Sequence, residues 1–459
     1  MNYPARSFTA LIDRDEVIDD LAKLVAIPSC SFDGFDIGPS LKCADAVADM
    51  VREAGFEDVE LLEVGGRAPV VWAEHAADSE CYPDAPTLLM YAHYDVQPAP
   101  KEQQGWTSDP FELTLKDDGR YYGRGGADDK GGIVAHLHAI EAAGGLEELD
   151  YVNLKLCFEG EEECFGTLEE YILEHPQRFA ADAYLILDLG NIEVGTPNLI
   201  TTLRGTVMVD IEIETIAQEL HSGAYGGPAP DATGALVQLL ATLWDENGDV
   251  AIEGLHRFAW EGATYPEDMY RRDIGLVEGA DLVGTGPISD QLFARPAVTI
   301  IGLDAKSRAE ASNVINPRAA ARISVRYAPG QDSDEVEAAV IAHLKAHAPA
   351  GVAISFPQTS GASAFSTSID GPLTARFAQA LGEVFGVEAT AMGSGGSIPL
   401  LAALQSASPE ADFMLYGIAD MAQSNIHGGN ESFDPDELIN TIKAEATFLH
   451  GLGSNTADS

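Results

Sequence analysis

Apolar positions along this chain follow two periods, and the switch between them divides it. In the first 200 residues, helical stripes alternate with short continuous apolar runs. Val17, Leu21, Leu24 and Val25 recur at helical spacing, and residues 40–54 form a second stripe that stops at Gly55, a C-cap residue type. Apolar runs near 86–92, 152–158 and 183–189 read as buried strands, with helices near 130–143 and 167–175. Strands alternating with helices predict a mostly parallel sheet with helices on both faces. From Thr206 to Thr215 the period becomes two (TVMVDIEIET), as in a half-exposed strand.

A helix at 231–245, strands near 297–303 and 319–327, a helix at 334–347 and a strand at 352–356 follow that segment. The order β-α-β-β-α-β is the ferredoxin-like arrangement, interrupted by a Gly-rich, aromatic insertion at 248–295. The first pattern then returns, with a helix at 372–385, the loop Gly393–Ser397, a strand at 413–418 and a helix at 435–449. The expected organisation is an α/β domain in two parts, 1–203 and 369–459, carrying an inserted α+β domain at 204–368.

Length agrees with this, since 459 residues exceed what one compact core encloses. Charge narrows the partners. With 26 Lys+Arg against 74 Asp+Glu the net charge is −48, which opposes binding to nucleic acid or an anionic membrane surface. The acids are dispersed, as on a solvated acidic surface. No run of eighteen apolar residues and no apolar signal core near the N-terminus is present, so no membrane span is expected. The five cysteines lack CxxC spacing and are odd in number, which fits reduced thiols and a cytoplasmic location.

The apolar runs stop at metal-ligand residue types. Leu88–Ala92 runs into His93-Tyr94-Asp95, Val152–Phe158 into Glu159-Gly-Glu161-Glu162-Glu163, and Tyr184–Leu187 into Asp188; Phe413–Tyr416 leads after a loop to His427. Asp128 sits in the loop Gly123-Arg-Gly-Gly-Ala-Asp128-Asp129-Lys130. In an open α/β sheet, ligands bind at the carboxyl ends of strands. Imidazoles mixed with carboxylates suit Zn²⁺ or Mn²⁺. Taken singly each motif has a plainer reading: HxD and acidic triplets occur in many solvated loops, and a glycine loop can bind an anion. Asp95, at i+2 from His93, could orient that ring or approach the same metal. Asp128 and Asp129 together could send one carboxylate across two ions, and one glutamate of the triplet could ligate while its neighbour acts as a base.

HYDVQP, YGRGGADDKGG, FEGEEE, LILDLGN, ELHSGAYGG and SNIHGGNE, in this order, closely resemble the M20 family of metallopeptidases, in particular its dipeptidase (carnosinase-like) branch. The resemblance covers essentially the whole chain. It implies a phosphorylase/hydrolase-like catalytic domain with a lid and dimerisation insert, and two divalent ions, Zn²⁺ first and Mn²⁺ or Co²⁺ also accepted. His93 and Asp188 would hold one ion, Glu163 and His427 the other, with Asp128 as the bridge. Asp95 matches the residue that supports His93, Glu162 the general base, and the Asp128–Asp129 peptide a position that is cis in the family. Aligning instead one residue earlier in the triplet makes Glu161 the base and Glu162 the ligand.

The resemblance further implies a homodimer in which His221 acts across subunits. Asn313, Arg326, Gly396 and Ser397 would meet the substrate's carboxylate end. The chain departs from many dipeptidases at Gly393, where they carry an Arg, which leaves the substrate subclass open. The expected activity is hydrolysis of dipeptides or short peptides with a free C-terminal carboxylate. The alternatives are an N-acyl-amino-acid or carbamoyl amidohydrolase of the same family, and a non-catalytic protein that binds metal or peptide.

Overall fold

The computed structural model describes residues 11–164, 166–396 and 398–453. Packing divides the chain into two units. One comprises the chain up to Thr201, Thr367–Ala391 and the residues from Leu400 on; the other comprises Thr202–Ser366 and Met392–Pro399. The segment 392–399, grouped by its sequence pattern with the α/β part, packs with the second unit.

The first unit is built on a six-stranded sheet in the order Val59–Leu62, Val70–His75, Asn153–Glu159, Thr87–His93, Ala183–Ile186, Asp412–Leu415. The last three of its five pairings are parallel. The first two are antiparallel, so Val70–His75 opposes both neighbours. That edge pair was not anticipated, because Val59-Glu60-Leu61-Leu62 is mostly exposed and carries no apolar run. Thr87–His93 lies between two parallel neighbours, with Leu88 through His93 all buried, which explains its continuous hydrophobicity.

Leu88, Met90, Ala92, Leu154, Leu156, Phe158 and Leu185 face a core shared with the helices Arg14–Val25, Gly38–Glu53, Lys130–Ala142, Pro372–Phe385 and Pro435–Gly453. On the other face Trp72 meets Phe179 edge-on at 5.0 Å, and the Tyr184 hydroxyl donates to Leu404 O at 3.2 Å. Lys130–Ala142 is buried nearly all round, hence its weak amphipathic pattern. A buried pair, His136 Nδ1 and Glu445 Oε2 at 2.9 Å, ties it to the C-terminal helix.

The second unit holds a sheet ordered Ala297–Asp304, Arg318–Tyr327, Gly205–Glu214, Ala353–Ser355, with Thr359–Ala362 also paired to Gly205–Glu214. Val207, Val209, Ile211 and Ile213 point to one face and pack with Leu236, Leu239, Val336 and Val340 of the two helices, Ala232–Ala241 and Ser333–His347. This is the ferredoxin-like order. Asp231 and Asp332 cap the two helices by accepting from Gly234 N and Asp334 N. The insertion contains a helix, Glu267–Asp273, and one π-helical turn, Asp290–Ala294. Among the described residues no helix is long and apolar enough to cross a membrane.

Candidate metal centre

The candidate centre lies within the first unit, where strand ends and two loops converge. His93 closes its strand fully buried. Its Nδ1 is 3.0 Å from the backbone oxygen of Asp95 and 3.5 Å from the Asp95 carboxylate. Nδ1 thus faces the Asp95 oxygens, and Nε2 is turned toward Asp128 Oδ1 at 3.0 Å and Asp188 Oδ1 at 3.4 Å. The other oxygen of Asp128 lies 3.1 Å from His427 Nε2, which is 3.2 Å from Glu163 Oε2. The Asp128–Asp129 peptide is cis, and His427 has a φ of 62°.

Two groups of ligand atoms result, each within 4.8 Å: His93, Asp129 and Asp188, and Asp128, Glu163 and His427. The sequence pointed to Asp129 only together with Asp128, and not as a ligand in its own right. Asp129 Oδ2 accepts the His93 N–H at 3.2 Å, while its Oδ1 is buried without a hydrogen-bond partner.

The electrostatics show a cluster short of positive charge. Burial raises the Asp188 carboxyl to about 6 despite the pull of His93. Burial and then the Asp188 charge push Glu162 well above the carboxylate range. Hydrogen bonds to Asp128 and Glu163 raise His427 to about 10. His93 is lowered by burial but raised further by Asp188 and by its hydrogen bonds to Asp128, Asp188 and Asp95, ending well above its ordinary value. Buried carboxylates at this density need paired positive charge. Two imidazoles, several carboxylate oxygens and one orphaned carboxylate oxygen fit divalent ions of the zinc or manganese type.

The acidic triplet separates into distinct roles. Glu161 Oε2 accepts Arg67 N–H at 2.8 Å and fills the room beside Gly66, where an added Cβ would lie 1.6 Å from it. Glu161 is therefore engaged elsewhere, and a side chain at 66 would have to displace its carboxylate. Glu163 turns to His427 and also accepts from Gln97 Nε2 at 2.6 Å. The Asp95 carboxylate receives Glu162 N–H and Glu163 N–H, both at 3.1 Å. One residue thus holds both the His93 ring and the backbone of the triplet.

The sequence matches peptidase family M20/M25/M40 over residues 89–451. The chain belongs to this family. It is 41% identical over 414 residues to the cysteinylglycine-S-conjugate dipeptidase of Corynebacterium striatum, covering 88% of this chain and 87% of that one. It is 29% identical to a Cys-Gly metallodipeptidase of Schizosaccharomyces pombe over 96% of each. Human carnosine dipeptidase 1 has a similar structure, with a TM-score of 0.78 and 26% identity over 98% of this chain and 99% of that one. As an M20 metallopeptidase, the protein is a metal-dependent hydrolase with an α/β catalytic fold.

His93, Asp95, Asp128, Glu162, Glu163, Asp188 and His427 come together in the first unit. His221, Asn313, Arg326 and Gly396 belong to the second, and Ser397 lies outside the described residues. Within the second unit Ser222 N–H donates to Asn313 O at 2.9 Å, which sets His221 beside Asn313. His221 Nδ1 accepts Gly223 N–H at 3.1 Å, leaving the proton on Nε2. Arg326 pairs in register with Thr206. Burial and the nearby Arg326 charge lower Arg204 to about 10. At Gly393 an added Cβ would lie 2.4 Å from Phe293 Cβ, so the π-helical turn of the insertion occupies the space a side chain would need.

Proposed function

We propose that this M20 hydrolase cleaves the amide bond of dipeptides, or of short peptides with a free C-terminal carboxylate, at a pair of divalent ions. The observation that carries the reading is Asp128, whose two oxygens lie 3.0 and 3.1 Å from imidazoles of separate ligand groups. His93 and Asp188 would hold one ion, Glu163 and His427 the other, with Asp128 between them. Asp129, whose Oδ2 already receives a backbone N–H, is the less suitable bridge. Zn²⁺ is the proposed ion, with Mn²⁺ or Co²⁺ able to replace it. When bound, such ions lower the pKa of a water and polarise the carbonyl.

Glu162 takes the proton of the attacking water and delivers it to the leaving amine. Its carboxyl belongs to neither group of candidate ligand atoms, which leaves it available to hold that proton. His221 offers Nε2–H to the oxygen that gains charge during attack. Arg326 and Asn313, with Gly396 and Ser397, receive the substrate's carboxylate; a guanidinium fork binds both oxygens at once.

His221 is proposed to act across a homodimer. Support comes from the edge strand Ala297–Asp304, which exposes Ile300, Ile301 and Leu303 along an unpaired edge, a feature that proteins otherwise cover or charge. Five unpaired cysteines support a cytoplasmic location.

A substrate panel tests the reading: Cys-Gly, its S-conjugates and carnosine against N-acetyl- and N-carbamoyl-amino acids, with the Zn²⁺- or Mn²⁺-loaded protein. Dipeptides should be turned over and the acylated amino acids poorly. Turnover of the acylated compounds alone would overturn the peptidase assignment in favour of an amidohydrolase.

A further inference from the structure

Glu431 is wholly buried, four residues beyond His427, and belongs to neither group of candidate ligand atoms. Its carboxylate is nonetheless saturated. Oε1 accepts Ala127 N–H at 3.0 Å and Asp128 N–H at 3.2 Å, and Oε2 accepts Gly125 N–H at 3.1 Å and Arg124 Nη1–H at 2.6 Å. Three backbone donors of the glycine loop therefore converge on one carboxylate, so the loop's path depends on it. Arg124 completes the link in the other direction: its Nη2 donates to Gly428 O at 2.8 Å, next to His427. The same buried ion pair thus grips the backbone of Asp128 and the backbone beside His427.

The two halves of the centre are unequally supported without it. His93 sits in the middle of a six-stranded sheet. His427 sits on a loop with left-handed backbone at Asn425, His427 and Asn430, and its ring is 56% exposed. Packing fixes the first imidazole; hydrogen bonds must fix the second.

We infer that the Arg124–Glu431 pair is a positioning device that sets Asp128 against His427 and so determines the affinity of the second ion. The inference rests on the two-ion reading above. In Glu431→Gln, the amide oxygen can still accept from Ala127 and Asp128, but the NH₂ group would face the donors of Gly125 and Arg124. Arg124→Lys keeps the charge but loses the planar fork that reaches Glu431 and Gly428 together. Loss of residues that orient metal ligands typically costs about 10–100-fold in metal affinity.

The experiment is calorimetric titration of Mn²⁺ into the chelator-stripped full chain, with melting temperature measured in parallel. The unsubstituted protein should bind two ions. Glu431→Gln should weaken the second by at least about tenfold and leave the first within about threefold. If Glu431→Gln fails to fold, Arg124→Lys carries the same expectation. Glu445→Gln, which breaks the buried His136 pair elsewhere in the unit, should lower the melting temperature while both ions bind normally. A Glu431 or Arg124 variant that melts early yet binds both ions unchanged, or weakens both equally, overturns the inference. Fewer than two ions on the unsubstituted protein would instead overturn the dinuclear reading beneath it.

Discussion

Asp95 Oδ1 accepts the backbone N–H of Glu162 at 3.1 Å, joining the residue that orients His93 to the residue proposed to carry protons. The second oxygen of Asp95 does the same for Glu163. Asp95→Asn would leave one of these N–H groups facing an amide NH₂, and the buried donor would lose its acceptor. We expect turnover to fall about 10–100-fold, with weaker metal binding as well. Steady-state kinetics with metal analysis on Asp95→Asn checks this; unchanged values for both would remove Asp95 from the centre.

Metal binding should be steeply pH-dependent. Hydrogen bonds to Asp128 and Glu163 raise His427 from 6.5 to about 10 in the metal-free protein. That proton must leave before the ring can ligate, so affinity should increase as pH rises toward 10. The stability sign is opposite. A histidine raised on folding stabilises fully below its unfolded value and loses that contribution as pH rises through its folded value. The stripped protein should therefore lose stability between about pH 6.5 and 10 while the loaded protein does not follow it. Thermal melts of both forms across that range, with proton release measured on metal addition, decide the point. A stripped protein whose stability rises over this range would contradict it.

His221 has its proton on Nε2 because Nδ1 accepts Gly223 N–H at 3.1 Å. It belongs to the second unit, whereas every proposed metal ligand belongs to the first. His221→Ala should reduce kcat by about 10²-fold, the usual cost of one oxyanion donor, and leave metal content intact. Loss of metal would contradict the assigned role.

The site was legible in the sequence where chemistry coincides with burial. The run Leu88–Ala92 ends at His93, and the run Tyr184–Leu187 ends at Asp188, because central parallel strands are apolar throughout and their last residues face the ligand crevice. The alternating period over 206–215 likewise revealed one sheet face packed on helices and one open. Where partners are remote in sequence, the residue types gave no warning. Arg124 and Glu431 are 307 positions apart, and both lie inside motifs quoted for other residues. The split of the glutamate triplet depended on a remote partner, Arg67 N–H, and on Gly66, whose missing side chain leaves the Glu161 carboxylate its place. The strands Val59–Leu62 and Val70–His75 were missed for a different reason: the first, at the sheet edge, is largely exposed, and the buried run of the second, inside the sheet, is only four residues long. The insertion at 248–295 had no readable period, yet Val250, Ile252 and Leu255 join the second unit's core, Phe293 packs against Gly393, and Gln291 O and Arg295 O accept from Arg204 Nη1.

The assignment of Glu162 as proton carrier beside two ions is tested most directly by Glu162→Gln, with turnover and metal content measured on one preparation and Glu161→Gln in parallel. Glu162→Gln should retain two ions per chain and lose nearly all turnover, on the order of 10²–10⁴-fold. Glu161→Gln should keep most of its activity, since that carboxylate is engaged with Arg67 N–H. Near-normal turnover in Glu162→Gln, or loss of activity in Glu161→Gln with its metals intact, would contradict the assignment.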